Sequence, residues 1–99
     1  MDYEYKTNFM YDFAAIDEKG EVAIRALAQK LFDTYKDNIV YLTELIMVIN
    51  HRSWYWYNID DELCDIYTRL YYDFDEKAIN YLEEQGNEEN LSYFFRTLD

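Results

Sequence analysis

The chain has 99 residues, of which 51% are apolar or aromatic and 30% charged, and 21 acids against nine Lys and Arg give it a formal charge of −12. That apolar share is well above the level at which a chain stays disordered for want of anything to bury, and the length suits one domain with one core. The charge argues against direct nucleic-acid binding and against attraction to anionic membranes, because no basic patch is present to neutralise phosphates; it steers basic surfaces toward the chain instead.

Residues 1–16 place Tyr3, Tyr5, Phe9, Tyr11 and Phe13 on odd positions, a period of two that permits a strand. A lone strand has nothing to pair with and no second strand segment follows. The stretch is therefore expected as an irregular aromatic N-terminal arm across the helices, with room for one helical turn. Asp17-Glu18-Lys19-Gly20 reads as a turn. From Glu21, Ala23, Leu27, Leu31 and Tyr35 recur every four residues beside Ile24, Ala28 and Phe32, the stripe of a core-facing helix. Asp37-Asn38 interrupts it, and either residue can cap a second helix carrying Ile39, Leu42, Leu45, Ile46 and Ile49. One bent helix over 21–50 fits nearly as well. Asn50–Ser53 is the expected end, with His51-Arg52 suited to a helix C-terminus.

Asn58, three residues before Asp61, makes a weak capping box, after which Ile59, Leu63, Ile66, Tyr67, Leu70 and Phe74 line one helical face. Past Phe74 the apolar centre shifts toward Ala78, Ile79 and Leu82. A second box, Asp73-Phe74-Asp75-Glu76, would account for that shift with a kink or break. Gly86-Asn87 closes the segment, and residues 88–95 suit a last short helix bringing Leu91, Phe94 and Phe95 onto the bundle. There is no proline, and both glycines fall at turns, which favours long helices. The expected fold is all-α, a compact bundle of three to five helices forming a single acidic domain over 1–99. Its core is drawn from Leu27, Leu31, Ile39, Leu42, Ile46, Ile49, Leu63, Ile66, Leu70 and Phe74.

Catalytic chemistry has little to work with. His51 and Cys64 are the only histidine and cysteine, so the usual fixed spacings of metal ligands cannot be built from them. The EF-hand loop, Glu-x-x-His and His-Glu-x-x-His patterns are all missing from the sequence, and Gly20 and Gly86 lie too far apart for a phosphate loop. Ser53, two residues from His51 on a helix, points away from it. Cys64 beside Leu63 reads as a small buried hydrophobe, and His51 as a helix-end cap. Paired carboxylates such as Asp60-Asp61 or Glu83-Glu84 would serve glycoside chemistry only across a deep cleft, which a bundle of this size rarely provides. The expectation is a non-enzymatic protein with no metal and no cofactor. One cysteine allows no intrachain disulfide and suits a reducing compartment. Residues 1–5 lack the basic start and apolar run of a secretion signal, and the longest apolar run, Leu45–Ile49, falls far short of the roughly 20 residues that span a bilayer. A cytoplasmic protein without membrane contact is expected.

Two surfaces remain for a partner. Residues 58–99 hold twelve acids and three bases, against nine and six in residues 1–57. On a helical wheel Asp61, Asp65, Glu76 and Glu83 share one sector with Tyr72, with Arg69 just beside it, a ridge about 33 Å long at a rise of roughly 1.5 Å per residue. Such a ridge can complement a basic protein surface, and one form of that binder is a DNA mimic, an inhibitor or regulator of a DNA- or RNA-handling protein. An ordinary solvated helix face gives the same pattern. The other surface is Trp54-Tyr55-Trp56-Tyr57, four consecutive rings that cannot all face one core. Either some are exposed as an interface, or Trp54 and Tyr57 pack inward while Tyr55 and Trp56 lean on the arm. Through this segment the chain would act as a small homo-oligomeric structural or regulatory subunit, a homodimer in the simplest case.

Overall fold

Three helices of this chain start where a polar side chain receives one of the first free amides. The computed structural model describes residues 5–98, which form α1 (Phe9–Ala14), a 3-10 turn (Asp17–Lys19), α2 (Glu21–Tyr35), α3 (Ile39–Trp56), α4 (Asp61–Gln85) and α5 (Glu88–Leu98). Asn38 Oδ1 accepts the Tyr41 amide at 3.2 Å, Asp60 Oδ1 the Leu63 amide at 3.0 Å, and Asn87 Oδ1 the Asn90 amide at 3.0 Å. Each such cap answers one of the four amides that a helix start leaves open. Gly86, at φ +67°, ends α4 in the left-handed conformation that costs glycine nothing.

All regular structure among the described residues is helical, and the buried side chains form one cluster. Of the ten residues expected in the core, Leu31, Leu42, Ile46, Ile49, Ile66, Leu70 and Phe74 are buried, and Leu27, Ile39 and Leu63 pack partly buried against them. The α3–α4 pair is an antiparallel hairpin, tied near its turn by a 2.6 Å hydrogen bond between Ser53 Oγ and Thr68 Oγ1. Between α2 and α4, Arg69 donates to Glu21, Arg25 to Asp73 and Lys77 to Gln29, each pair 48 residues apart. A constant offset means that the two helices run the same way, so α2, α3 and α4 pack up, down and up, with α1 and α5 laid against α3.

Several expectations need correction. The period-two aromatics do not make an irregular arm over 9–14: Phe9 and Phe13, one helical turn apart, are buried on one side of α1, and Tyr11 faces solvent (Tyr3 lies outside the described residues). Residues 21–50 are two helices, as the Asp37-Asn38 interruption indicates, with Asn38 in an extended backbone as the cap of α3, and the single bent helix is not found. That helix runs past Ser53 to Trp56. Arg52 is not a C-terminal charge on it but a buried residue. Asp60, not Asn58, caps α4; Asn58 sits in the left-handed turn at φ +64°, and Ile59, placed before the cap, is 67% exposed instead of opening the core stripe. Nothing breaks at Asp73, where the carboxylate turns outward to Arg25 and leaves the helical amides to their own carbonyls. Phe95 is exposed while Phe94 is buried.

Candidate interaction surfaces and the buried Asp17 cluster

The unbroken α4 brings the four ridge carboxylates into line. Asp61, Asp65, Glu76 and Glu83 are all exposed, opposite the side that buries Ile66, Leu70, Phe74 and Ala78. Tyr72, 66% exposed, stands among them. The longest extent of the fold is 38 Å, and 25 residues at about 1.5 Å each nearly cover it, so the ridge runs the length of the molecule. The bases of α4 do not sit on this line. Arg69 reaches toward α2, donating to Glu21 at 2.8 Å while also holding Asp65 at 3.1 Å. Lys77 donates to Gln29 at 2.6 Å and lies 4.9 Å from the centre of the Phe74 ring. Hydrogen bonds from Arg69 and then Arg25 hold Glu21 below the ordinary glutamate value, so this seam keeps its charges.

The four consecutive rings divide. Trp54 and Tyr57 face solvent, 66% and 57% exposed, with ring centroids 5.8 Å apart. Tyr55 is also exposed. Trp56 alone is drawn inward. Its Nε1 donates to Asp17 Oδ2 at 3.1 Å. The inward packing expected of Trp54 and Tyr57 is therefore not found, and the ring that does turn inward packs against the core while its N–H answers an acid.

That acid is the centre of a cluster the sequence did not reveal. Asp17 is buried, Arg52 Nη2 donates to its Oδ2, and the Tyr67 hydroxyl donates to its Oδ1. The Arg52 guanidinium lies 4.7 Å from the centre of the Tyr55 ring and 5.7 Å from those of Trp56 and Tyr67. Burial, and after it the Asp17 carboxylate, pushes the Tyr67 hydroxyl far above the ordinary tyrosine range, so it remains a donor. Asp17 was legible only as a turn residue. Arg52 carried a signal, because Leu45, Ile49, Arg52 and Trp56 follow the four-three-four spacing of a core face.

His51 does not cap a helix end: its Nδ1 shares a hydrogen bond with the Tyr5 hydroxyl, and the Glu44 carboxylate beneath accepts the Lys6 amide at 2.8 Å. Cys64 is half-buried, 4.0 Å from Ser53 Oγ. Among the described residues, no three His, Cys, Asp or Glu side chains gather as metal ligands would, and no helix is long and apolar enough to cross a membrane. No family model, curated protein or solved structure matches the chain.

Proposed function

We propose that the chain is a non-enzymatic binding protein whose α4 ridge engages a basic protein surface, such as the site where a DNA- or RNA-handling protein receives phosphates. The carrying observation is the unbroken α4, which aligns Asp61, Asp65, Glu76 and Glu83 along the molecule while Arg69 and Lys77 turn to α2. Asp65 is paired with Arg69 at 3.1 Å, while Asp61, Glu76 and Glu83 take part in no ion pair among the described residues. A row of this kind speeds encounter with a cationic surface, and Tyr72 gives it an amphipathic anchor. A protein captured from the native lysate supplies the partner for the test. Reversing Asp61, Asp65, Glu76 and Glu83 to lysine should slow its association at least about tenfold at low salt and flatten the salt dependence of the rate. Association that ignores all four reversals rejects the ridge.

The exposed end of the α3–α4 hairpin favours a second reading, in which Trp54, Tyr57 and Ile59 pair with a second copy or a regulatory target. Light scattering across protein concentration separates the two. A dimer lost on Trp54→Ala supports this reading, and a constant monomer mass removes self-association.

A further inference from the structure

A cleft of about 370 Å³ opens where the 3-10 turn, the end of α3 and the start of α4 meet, lined by Ala14, Glu18, Arg52, Tyr55, Trp56, Asp60 and Leu63, with Asp17 in its floor. Its volume lies at the lower end of the range for small-molecule sites, which suits one side chain rather than a cofactor. Its charges do not balance. Asp17 and Arg52 cancel each other within the floor, and neither Glu18 nor Asp60 takes part in an ion pair among the described residues. Two rings form walls at right angles, Tyr55 and Trp56, with centroids 4.9 Å apart and planes inclined at 89°. Tyr55 already receives the Arg52 guanidinium, yet 56% of its surface stays exposed.

We propose that this cleft binds a basic residue of a peptide chain, its ammonium or guanidinium group against Tyr55 between the Glu18 and Asp60 carboxylates. Carboxylates at the rim and aromatic faces in the wall both favour an organic cation over an anion or a neutral group. The site is separate from the ridge. Leu63, the contribution of α4 beyond its cap, lies about 160–200° round the helix from Asp61, Asp65 and Glu83 at roughly 100° per residue.

The probes are Nα-acetyl-L-arginine amide and Nα-acetyl-L-lysine amide, titrated into the ¹⁵N-labelled full chain, with the neutral Nα-acetyl-L-citrulline amide as control. The Trp56 indole N–H resonance should move and saturate with both basic probes while that of Trp54 stays in place. Glu18→Gln with Asp60→Asn, which retains a capping side chain for α4, should weaken binding about tenfold or more. Neutralising the ridge (Asp61→Asn, Asp65→Asn, Glu76→Gln, Glu83→Gln) should leave it unchanged, so the cleft and the ridge can fail separately. Saturation by citrulline equal to that by arginine, no saturable shift at Trp56, or full affinity in the Glu18/Asp60 variant overturns the proposal.

Discussion

Arg52 and Asp17 share one buried environment, so neither charge can be removed without stranding the other. Arg52→Met should lower stability by about 3–5 kcal/mol, the usual effect of breaking a buried pair. Tyr67→Phe, which deletes one of the three donors on Asp17, should cost about 1–3 kcal/mol. Asp17→Asn combined with Arg52→Met should cost clearly less than the sum of the single changes. Urea denaturation of the four proteins closes that cycle, and strict additivity would show that the pair is not coupled. His51 makes the matching pH prediction. Burial holds it below the ordinary histidine value of 6.5, so the folded chain prefers the neutral ring that Tyr5 contacts. Its contribution is complete above the unfolded value near 6.5 and is lost as pH falls through that value toward the lower folded one. Urea midpoints should therefore drop between pH 7 and pH 5, and His51→Gln should flatten that part of the curve. At this scale Arg52 was read as a charge at a helix end although its spacing from Ile49 and Trp56 lies on the core face, and the acid that meets it was out of local reach, because Asp17 lies 35 residues away in a turn.

Among the helices, caps decide where the pattern begins, and hydrophobic periodicity alone does not. Ile59 keeps perfect phase with Leu63 and Ile66, yet it precedes the Asp60 cap and stands in solvent. Asp73 and Glu76 show the reverse: a capping signature can lie inside a continuing helix when its carboxylate has another partner, here Arg25. The drift of the stripe toward Ala78 and Leu82 reflects packing that passes along α4 toward α5, which rests on its end. Asp60→Ala should destabilise the protein by about 1 kcal/mol through the lost cap, and Asn58→Ala by less, since Asn58 only shapes the turn. Gly86→Ala should cost on the order of 1 kcal/mol; a Cβ there meets no atom within 4 Å, so the penalty is that of the left-handed backbone alone. Thermal melts of the three variants check the order, which would be wrong if Asn58→Ala were the most damaging.

For the molecule as a whole, the compositional excess of acid becomes a directional one. Arg69 and Lys77 of α4 reach the seam with α2, Arg69 holding Asp65 as well, and the solvent face of α4 carries an excess of carboxylates over about 33 Å at roughly 1.5 Å per residue. The charge of −12 also works against the folded state, because burial of the core holds like charges close together. The exposed pairs at Glu21, Arg25 and Arg69 contribute little each, and salt weakens them. Self-repulsion is the larger effect, so the melting temperature should rise by a few degrees, about the equivalent of 1 kcal/mol, between 10 mM and 200 mM NaCl. A fall would show that the seam outweighs the repulsion. The all-helical class, the break at Asp37-Asn38 and most of the core were legible from spacing. The parallel run of α2 beside α4 was not, since a constant offset of 48 residues leaves no trace in a local window.

The Asp17 cluster also has a place in the order of assembly. Ser53 and Thr68, which tie the α3–α4 hairpin, are 15 residues apart, whereas the partners of Asp17 lie 35, 39 and 50 residues from it. Short loops close at lower entropic cost, so the hairpin is expected in the early nucleus, with the 3-10 turn docking onto it late. Interactions made after the transition state slow escape from the native basin without hastening entry to it. Asp17→Asn should accordingly raise the unfolding rate by nearly the whole loss of stability, while Leu70→Ala in the hairpin should slow refolding. Stopped-flow chevrons separate the two limbs, and a folding limb displaced by Asp17→Asn would put the turn in the nucleus. Asp17 then acts as a latch, closed last, that sets how long the folded chain lives before it opens.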